Sequence, residues 1–135
     1  MMAKLEKVEG IGGKYAANLR KAGVRSTKSL LEKGATPKGR DEIARASGIG
    51  SALILEWVNH VDLFRIKGVG EEYSDLLEEA GVDTVVELAQ RNPANLHQGI
   101  LETNAKKRLV RRPPSKKMVN DWVNNAKNLP RKVYY

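Results

Sequence analysis

Three short segments of the sequence place an apolar residue between two glycines: Gly10-Ile11-Gly12, Gly48-Ile49-Gly50 and Gly68-Val69-Gly70. In such a turn the first glycine readily takes a positive φ, and the apolar residue anchors the turn in a core. The second glycine removes a side chain, so the backbone can approach a ligand. A helix that follows presents unpaired N–H groups and the positive end of its dipole. This combination is typical of a site for phosphate.

Two of these segments belong to an internal repeat. Residues 8–24 (VEGIGGKYAANLRKAGV) match residues 66–82 (IKGVGEEYSDLLEEAGV), with residue 8 corresponding to residue 66. A later match pairs Glu56–Asn59 with Asp121–Asn124, a shift that is seven residues larger. A repeat on this scale predicts a duplicated supersecondary unit. We therefore expect a first unit over residues 1–65 and a second, diverged unit with a basic loop and a C-terminal tail over residues 66–135.

The elements that carry the turns are predicted to be helices. Apolar residues recur on one helical face in two long segments that begin near Ser51 and Ser115 (Leu53, Ile54, Trp57, Val58 and Val61; Met118, Val119, Trp122 and Val123). Further helices are predicted to start at Thr36-Pro37, at Asn92-Pro93 and at a capping box from Thr84 to Glu87, and others to end at Gly23 and Gly81. No segment alternates at period two, so we expect an all-α fold in which two units pack as a compact helical protein.

On these residues the sequence resembles the helix-hairpin-helix family. The resemblance is carried by Val8–Gly12 with Tyr15, Ala16 and Leu19, by Ile66–Gly70 with Tyr73 and Leu77, and by Ala46–Gly50 with Ala52 and Ile54. Two hairpins per unit resemble the tandem helix-hairpin-helix domain, which implies binding across a DNA minor groove without sequence specificity. A fourth hairpin would precede Ser115, but Arg111-Arg112-Pro113-Pro114 stands there without glycine. The whole chain is also similar to an uncharacterised bacterial family of duplicated helix-hairpin-helix proteins.

Charge distinguishes the hairpins from one another. The net charge is +8, and it divides into +5 over residues 1–65, −6 over residues 66–105 and +9 over residues 106–135. Glu71 and Glu72 would repel a phosphate at the third hairpin. We therefore expect the residues that bind the phosphate backbone to be Gly10, Gly12, Lys14, Gly48 and Gly50. Second choices are Arg111, Arg112, Lys116 and Lys117, in a cluster that also holds Lys106, Lys107 and Arg108. Alternatively, this cluster is a solvated loop that pairs with the acidic helix of its own unit.

Several functions are not expected. The sequence has no cysteine, and His60 and His97 lack neighbours at metal-binding or triad spacing, so surface or half-buried roles are expected for both. The chain is short for a base-excision glycosylase, for which only Asp62 and Asp83 would be candidate catalytic residues. We therefore expect no enzyme and no cofactor, although the resemblance allows a monovalent cation at the hairpin carbonyls.

The expected partner is DNA, double-stranded or branched. No apolar run is long enough to cross a membrane and the N-terminus does not resemble a signal peptide, so the cytoplasm is expected, with no membrane partner. Two alternatives stay open: the hairpins only scaffold the fold, or the acidic face of residues 71–87 docks a basic protein or a second copy.

The aromatic residues are expected to serve mainly in packing. Trp57 and Trp122 occupy matching positions of the repeat, and Tyr15 and Tyr73 do so as well, so all four are expected in or against the core. Tyr134 and Tyr135 either dock on the body of the protein or remain mobile.

Overall fold

A computed structural model describes residues 3–135, and the regular elements of this part are all helices. A short 3-10 helix, Leu5–Lys7, comes first. The eight α-helices are α1 (Gly13–Lys21), α2 (Thr27–Lys33), α3 (Pro37–Ser47), α4 (Ser51–Leu63), α5 (Glu71–Glu79), α6 (Val85–Ala89), α7 (Pro93–Lys107) and α8 (Lys116–Lys127). The predicted all-α class is therefore confirmed. Within residues 3–135 no helix combines the length and the apolar character needed to cross a bilayer.

The chain forms two compact units. The first comprises the residues up to Asp62 together with Lys132–Tyr135, and the second comprises Leu63–Arg131. Sequence placed the boundary after residue 65 and assigned the C-terminal tail to the second unit. The structure differs for the tail because Val133 is buried and the Tyr134 N–H donates a hydrogen bond to the Ala35 carbonyl of the first unit at 2.8 Å.

The core of the first unit is built from apolar residues of all its helices. Its buried members are Leu5, Val8, Ile11, Ala16, Leu19, Val24, Leu30, Ile43, Ile49, Ile54, Trp57, Val58, Val61 and Val133. Every residue from Trp57 to Asp62 is buried, so the second half of α4 is enclosed on all faces. His60 is only 2% exposed there, and the surface or half-buried role expected for it is wrong for this reason. His97, in contrast, is half-buried as expected.

The second unit has a comparable apolar core. It contains Leu63, Ile66, Val69, Leu76, Leu77, Val82, Val85, Leu88, Leu96, Ile100, Val110, Val119, Trp122, Val123 and Ala126. Trp122 is 3% exposed and Trp57, in the first unit, is 1% exposed. The prediction that both tryptophans are core residues is confirmed.

Most of the predicted helix ends are confirmed. Gly23 and Gly81 follow α1 and α5 with φ of +86° and +97°, and the N–H groups of Val24 and Val82 bond back to Leu19 and Leu77. This is the Schellman arrangement, which satisfies carbonyls at the end of a helix. The side chains of Thr36, Asn92 and Ser115 cap α3, α7 and α8.

The predicted capping box of α6 is only partly present. The Thr84 hydroxyl accepts from the Glu87 N–H at 3.4 Å, but the Glu87 carboxylate accepts from the Asp83 N–H at 3.3 Å rather than from Thr84. A complete box occurs at α2 instead, where Ser26 and Ser29 cap each other's backbone N–H groups. Serine in place of the usual Glu or Gln is the reason that the sequence pattern did not reveal it.

The extra residues of the second repeat lie in α7 and in the loop that follows. α7 has 15 residues where α3 has 11. Arg108 and Ser115 are seven positions apart, whereas Gly48 and Gly50, which flank the corresponding connection, are two apart. The segment between Gly81 and the start of α7 is two residues shorter than the segment between Gly23 and the start of α3, which leaves the net difference of seven residues.

Candidate nucleic-acid interface

The first hairpin, Val8–Gly12, joins the 3-10 helix to α1. The Ile11 N–H donates to the Val8 carbonyl at 3.0 Å, and the Ile11 side chain is buried. Gly10 has a φ of +92°, and a Cβ placed there would lie 3.2 Å from the indole Nε1 of Trp57. Gly12 is exposed, and no heavy atom lies within 4 Å of the Cβ that a side chain would add. A side chain at Gly10 would therefore press against the core, whereas a side chain at Gly12 would extend into open space.

The start of α1 lacks a side-chain cap. Gly12 is its N-cap, so the N–H groups of the first turn receive no side-chain acceptor. The first hydrogen bond of this helix runs from the Ala16 N–H to the Gly12 carbonyl. By contrast, side chains cap five helices: Ser26 on α2, Thr36 on α3, Thr84 on α6, Asn92 on α7 and Ser115 on α8. Exposed amides at the positive end of the dipole favour an anion at α1.

The charge at the start of α1 is favourable for an anion, whereas the hairpin before it contains the exposed Glu9. The first turn of α1 contains no acidic residue, and Lys14 is exposed there. None of the ion pairs within residues 3–135 involves Lys14. Arg20, further along α1, is engaged in a pair with Glu6 at 3.0 Å, and both of those side chains are partly exposed. Lys14 is therefore available to a ligand at this hairpin.

The second hairpin, Gly48–Gly50, joins α3 to α4. Gly48 has a φ of +76° and its N–H donates to the Ala44 carbonyl at 2.9 Å. Ile49 is buried, and its N–H donates to the Ser47 hydroxyl at 3.2 Å. Both glycines are exposed, and a Cβ added at either one would have no heavy atom within 4 Å. As at Gly12, the backbone here is accessible to a ligand.

The third hairpin repeats the geometry of the first with the opposite charge. Gly68 has a φ of +88°, and the Val69 N–H donates to the Ile66 carbonyl at 3.0 Å. Gly70 is the N-cap of α5 without a side-chain cap, and its surroundings are as open as those of Gly12. The first turn of α5 contains Glu71 and Glu72, however. These carboxylates occupy the favourable end of the helix dipole that a phosphate would use.

The basic loop, residues 106–117, replaces a fourth hairpin. Its non-helical part begins at Arg108, which follows α7 in the left-handed conformation with a φ of +51°. The Asn104 side chain forms two hydrogen bonds to the main chain of Val110, at 3.0 and 3.1 Å. Further bonds join the Tyr73 hydroxyl to the Arg112 carbonyl at 3.2 Å and the His97 Nε2 to the Pro114 carbonyl at 3.0 Å. The loop is thus held in one conformation without glycine.

Most of the cations in the basic loop are unengaged. Lys107 pairs with Glu79 of α5, and Lys117 pairs with Asp121 at 2.8 Å, a hydrogen bond that raises the pKa of the Lys117 ammonium group. In the described part of the chain, five exposed cations have no ion pair (Lys106, Arg108, Arg111, Arg112 and Lys116). The alternative interpretation, in which the basic loop pairs with the acidic helix α5 of its own unit, therefore holds for Lys107, which pairs with Glu79.

Two polar residues that organise these units were missed by sequence reasoning. Asn104 is one of them. The other is Arg40, which is 5% exposed and donates to the carbonyls of Gly34 at 2.8 Å and Tyr134 at 2.7 Å. Burial lowers the pKa of its guanidinium group, while Tyr135 and Asp41 act in the opposite direction. No local pattern marks either residue, because their partners are defined only by the folded chain.

A tyrosine and a tryptophan at matching repeat positions pack against each other in each unit. The ring centroids of Tyr15 and Trp57 are 5.1 Å apart, and those of Tyr73 and Trp122 are 5.2 Å apart. The packing role expected for the two tyrosines is confirmed by these contacts. They differ in exposure: Tyr73 is half-buried and bonded to the basic loop, whereas Tyr15 is 39% exposed.

The regular elements of the described residues are all helices, and they carry three Gly-apolar-Gly turns with exposed glycines and a basic loop held by hydrogen bonds. A family model described as a domain of unknown function, DUF4332, matches residues 9–129, and the chain belongs to this family. The predicted similarity to an uncharacterised family is thereby confirmed, while the helix-hairpin-helix assignment stays a prediction. No solved structure matches the chain.

Proposed function

We propose that this protein binds nucleic acid, double-stranded or branched DNA, without sequence specificity and without catalysis. The two units are proposed to be tandem helix-hairpin-helix units. The proposed phosphate-binding residues are Gly10, Gly12, Lys14, Gly48 and Gly50. The observation that carries the proposal is the start of α1. It is a helix end without a side-chain cap, directly after an open glycine turn, and the first turn of this helix has an exposed lysine and no acidic residue.

The chemistry of these groups matches a phosphate backbone. Main-chain N–H groups at a helix start donate to phosphate oxygens, and Lys14 adds a full positive charge beside them. Neither group distinguishes one base pair from another, because contacts to phosphate position a protein on DNA but do not read its sequence. Two such turns in the first unit would hold two positions of the backbone.

The basic loop is the proposed second contact. Arg111, Arg112 and Lys116 are exposed and have no ion pair within residues 3–135, so no internal bond has to break before they bind phosphate. Lys117 would first have to release Asp121. The guanidinium group of arginine can bond a phosphate with two parallel N–H groups, so side chains would replace the backbone amides of a glycine turn here.

A salt-titrated binding assay on duplex, single-stranded and four-way-junction DNA tests the proposal. If about four phosphates are engaged, log K should fall with log salt at a slope of roughly −3.6.

Lys14→Glu should weaken binding at least about ten-fold, because it places an anion at the phosphate site. The reciprocal change Glu72→Lys, at the matching position of the third hairpin, should strengthen it. Affinity that is flat across salt, or unaffected by Lys14→Glu, would contradict the proposal.

The competing proposal is an adaptor that docks a basic partner, or a second copy, on the acidic face of residues 71–87. Part of that face is already engaged: Glu79 pairs with Lys107, and the Glu87 carboxylate accepts from the Asp83 N–H. Glu72 is exposed and remains available. Lys14→Glu separates the two proposals, since it lies outside this face and would leave an adaptor's binding unchanged.

A further inference from the structure

The exposed aromatic side chains are concentrated in the first unit. Among the described residues, three large hydrophobic side chains are exposed: Tyr15 at 39%, Tyr134 at 50% and Tyr135 at 63%. All three are tyrosines, and all belong to the unit that contains the Gly10–Gly12 and Gly48–Gly50 turns, each of which leads into a helix with no acidic residue in its first turn. Tyr134 and Tyr135 are the most exposed, and they are adjacent in the chain.

The main chain beneath these two tyrosines is fixed. The Tyr134 N–H donates to the Ala35 carbonyl at 2.8 Å, and the Tyr134 carbonyl accepts from the buried guanidinium of Arg40 at 2.7 Å. Val133, the preceding residue, is 2% exposed and anchors the segment in the core. The tail therefore presents two aromatic rings from a fixed backbone, which lowers the entropy that binding would otherwise cost.

The tail lies beside the second hairpin. Tyr135 lines a shallow groove together with Ser51 and Ala52, the first two residues of α4 after Gly50. The other side of the groove is formed by α3, through Pro37, Arg40 and Asp41. An exposed aromatic ring is thus located next to the turn that we propose binds a phosphate.

We propose that Tyr134 and Tyr135 form a stacking surface for an unpaired nucleobase beside a duplex that the Gly48–Gly50 hairpin holds. This inference rests on the proposed function and specifies its partner as DNA with unpaired bases at an end or branch. Aromatic side chains stack on any base, since every base has a π-face, so the contact would be independent of sequence. The carboxylate of Asp41 in the same groove disfavours a phosphate but accommodates a neutral base.

Fluorescence anisotropy on two DNA molecules tests this inference. One is a blunt duplex, and the other is the same duplex with a short single-stranded extension. Stacking of one base on an aromatic side chain predicts about ten-fold tighter binding of the extended duplex. The double variant Tyr134→Ala, Tyr135→Ala should lose this preference and bind the blunt duplex as the wild type does. The matched double variant Tyr134→Phe, Tyr135→Phe keeps both rings and should retain the preference.

A fluorescent base analogue in the extension supplies an independent readout, because its emission is quenched when it stacks. We expect quenching with the wild type and the phenylalanine variant but not with the alanine variant. Equal melting temperatures would verify that the tail stays anchored, as its hydrogen bonds to Ala35 and Arg40 use the main chain of Tyr134.

The outcomes separate this inference from the proposed function. Salt-dependent binding of the blunt duplex without any preference for the extension overturns the stacking inference and leaves DNA binding standing. A preference that survives in the alanine variant, or that is lost in the phenylalanine variant, also overturns it. Failure to bind either DNA at low salt overturns the proposed function itself.

Discussion

Gly10 and Gly12 are two residues apart but serve different purposes. Gly10 has a φ of +92°, and an added Cβ would approach the Trp57 indole within 3.2 Å, so the fold itself requires glycine there. Gly12 has a φ of −86°, an ordinary value for any residue, and open space surrounds it. The packing of the first unit therefore provides no reason for glycine at position 12, whereas close approach of a ligand does.

Gly12→Leu is expected to lower the affinity for duplex DNA at least about ten-fold, because the side chain would stand between the phosphate and the first amides of α1. The free energy of unfolding should change by no more than about 1 kcal/mol, since only the N-cap preference is altered. Gly70→Leu is the matched control: it has the same open surroundings, but Glu71 and Glu72 follow it. Anisotropy and urea denaturation measure the two quantities. Equal losses of affinity in both variants would contradict a specific role for Gly12.

At the level of elements, the basic loop shows how a longer connection can be rigid without glycine. Arg108 takes the left-handed conformation that Gly48 takes at the end of α3. That conformation is costly for arginine and persists only when the surroundings enforce it. The Asn104 side chain, 9% exposed, provides this constraint by bonding both the N–H and the carbonyl of Val110.

Asn104→Ala is expected to lower the free energy of unfolding by about 2 kcal/mol, because it leaves the N–H and carbonyl of Val110 without their buried partner. Urea denaturation measures the change. Asn120→Ala, at an exposed position of α8, serves as control and should have an effect within about 0.5 kcal/mol. A similarly small effect at Asn104 would show that the loop does not depend on this side chain.

At the level of the whole molecule, the first unit is discontinuous in sequence. Its residues up to Asp62 are completed by Lys132–Tyr135, which follow the entire second unit in the chain. The hydrogen bond from Arg40 to Tyr134 spans 94 residues. A fragment that ends near residue 62 would therefore lack part of its own unit.

Removing residues 132–135 is expected to lower the melting temperature by roughly 8 °C. The deletion exposes the site of Val133, worth about 2 kcal/mol of burial, and each kcal/mol corresponds to about 4 °C for a chain of this size. It also removes the Tyr134 carbonyl from the buried Arg40 guanidinium. Lys132→Ala, an exposed position in the same segment, should leave the melting temperature nearly unchanged. A deletion as mild as this substitution would contradict the anchoring role of the tail.

The sequence by itself determined the features that depend on neighbouring residues. Positive φ at Gly10 and Gly48, the side-chain caps at Thr36 and Asn92 and the helix ends at Gly23 and Gly81 follow from the conformational limits of a few adjacent residues. Gly12, Gly50 and Lys14, which the sequence indicated as candidate phosphate-binding residues, are all exposed in the structure. The opposite charges of Lys14 and Glu72 are likewise evident when the two copies of the repeat are aligned.

Only the tertiary structure decided which distant residues meet. The burial of Arg40 and His60, the hydrogen bond from Arg40 to Tyr134 and the docking of the tail on the first unit leave no local pattern. The physical reason is that a buried polar group must find its hydrogen-bond partners wherever the folded chain brings them, and these partners include residues far away in sequence. For that reason the turns could be predicted from composition and spacing, while the groove that Tyr135 lines with Ser51 and Ala52 became visible only in the folded chain.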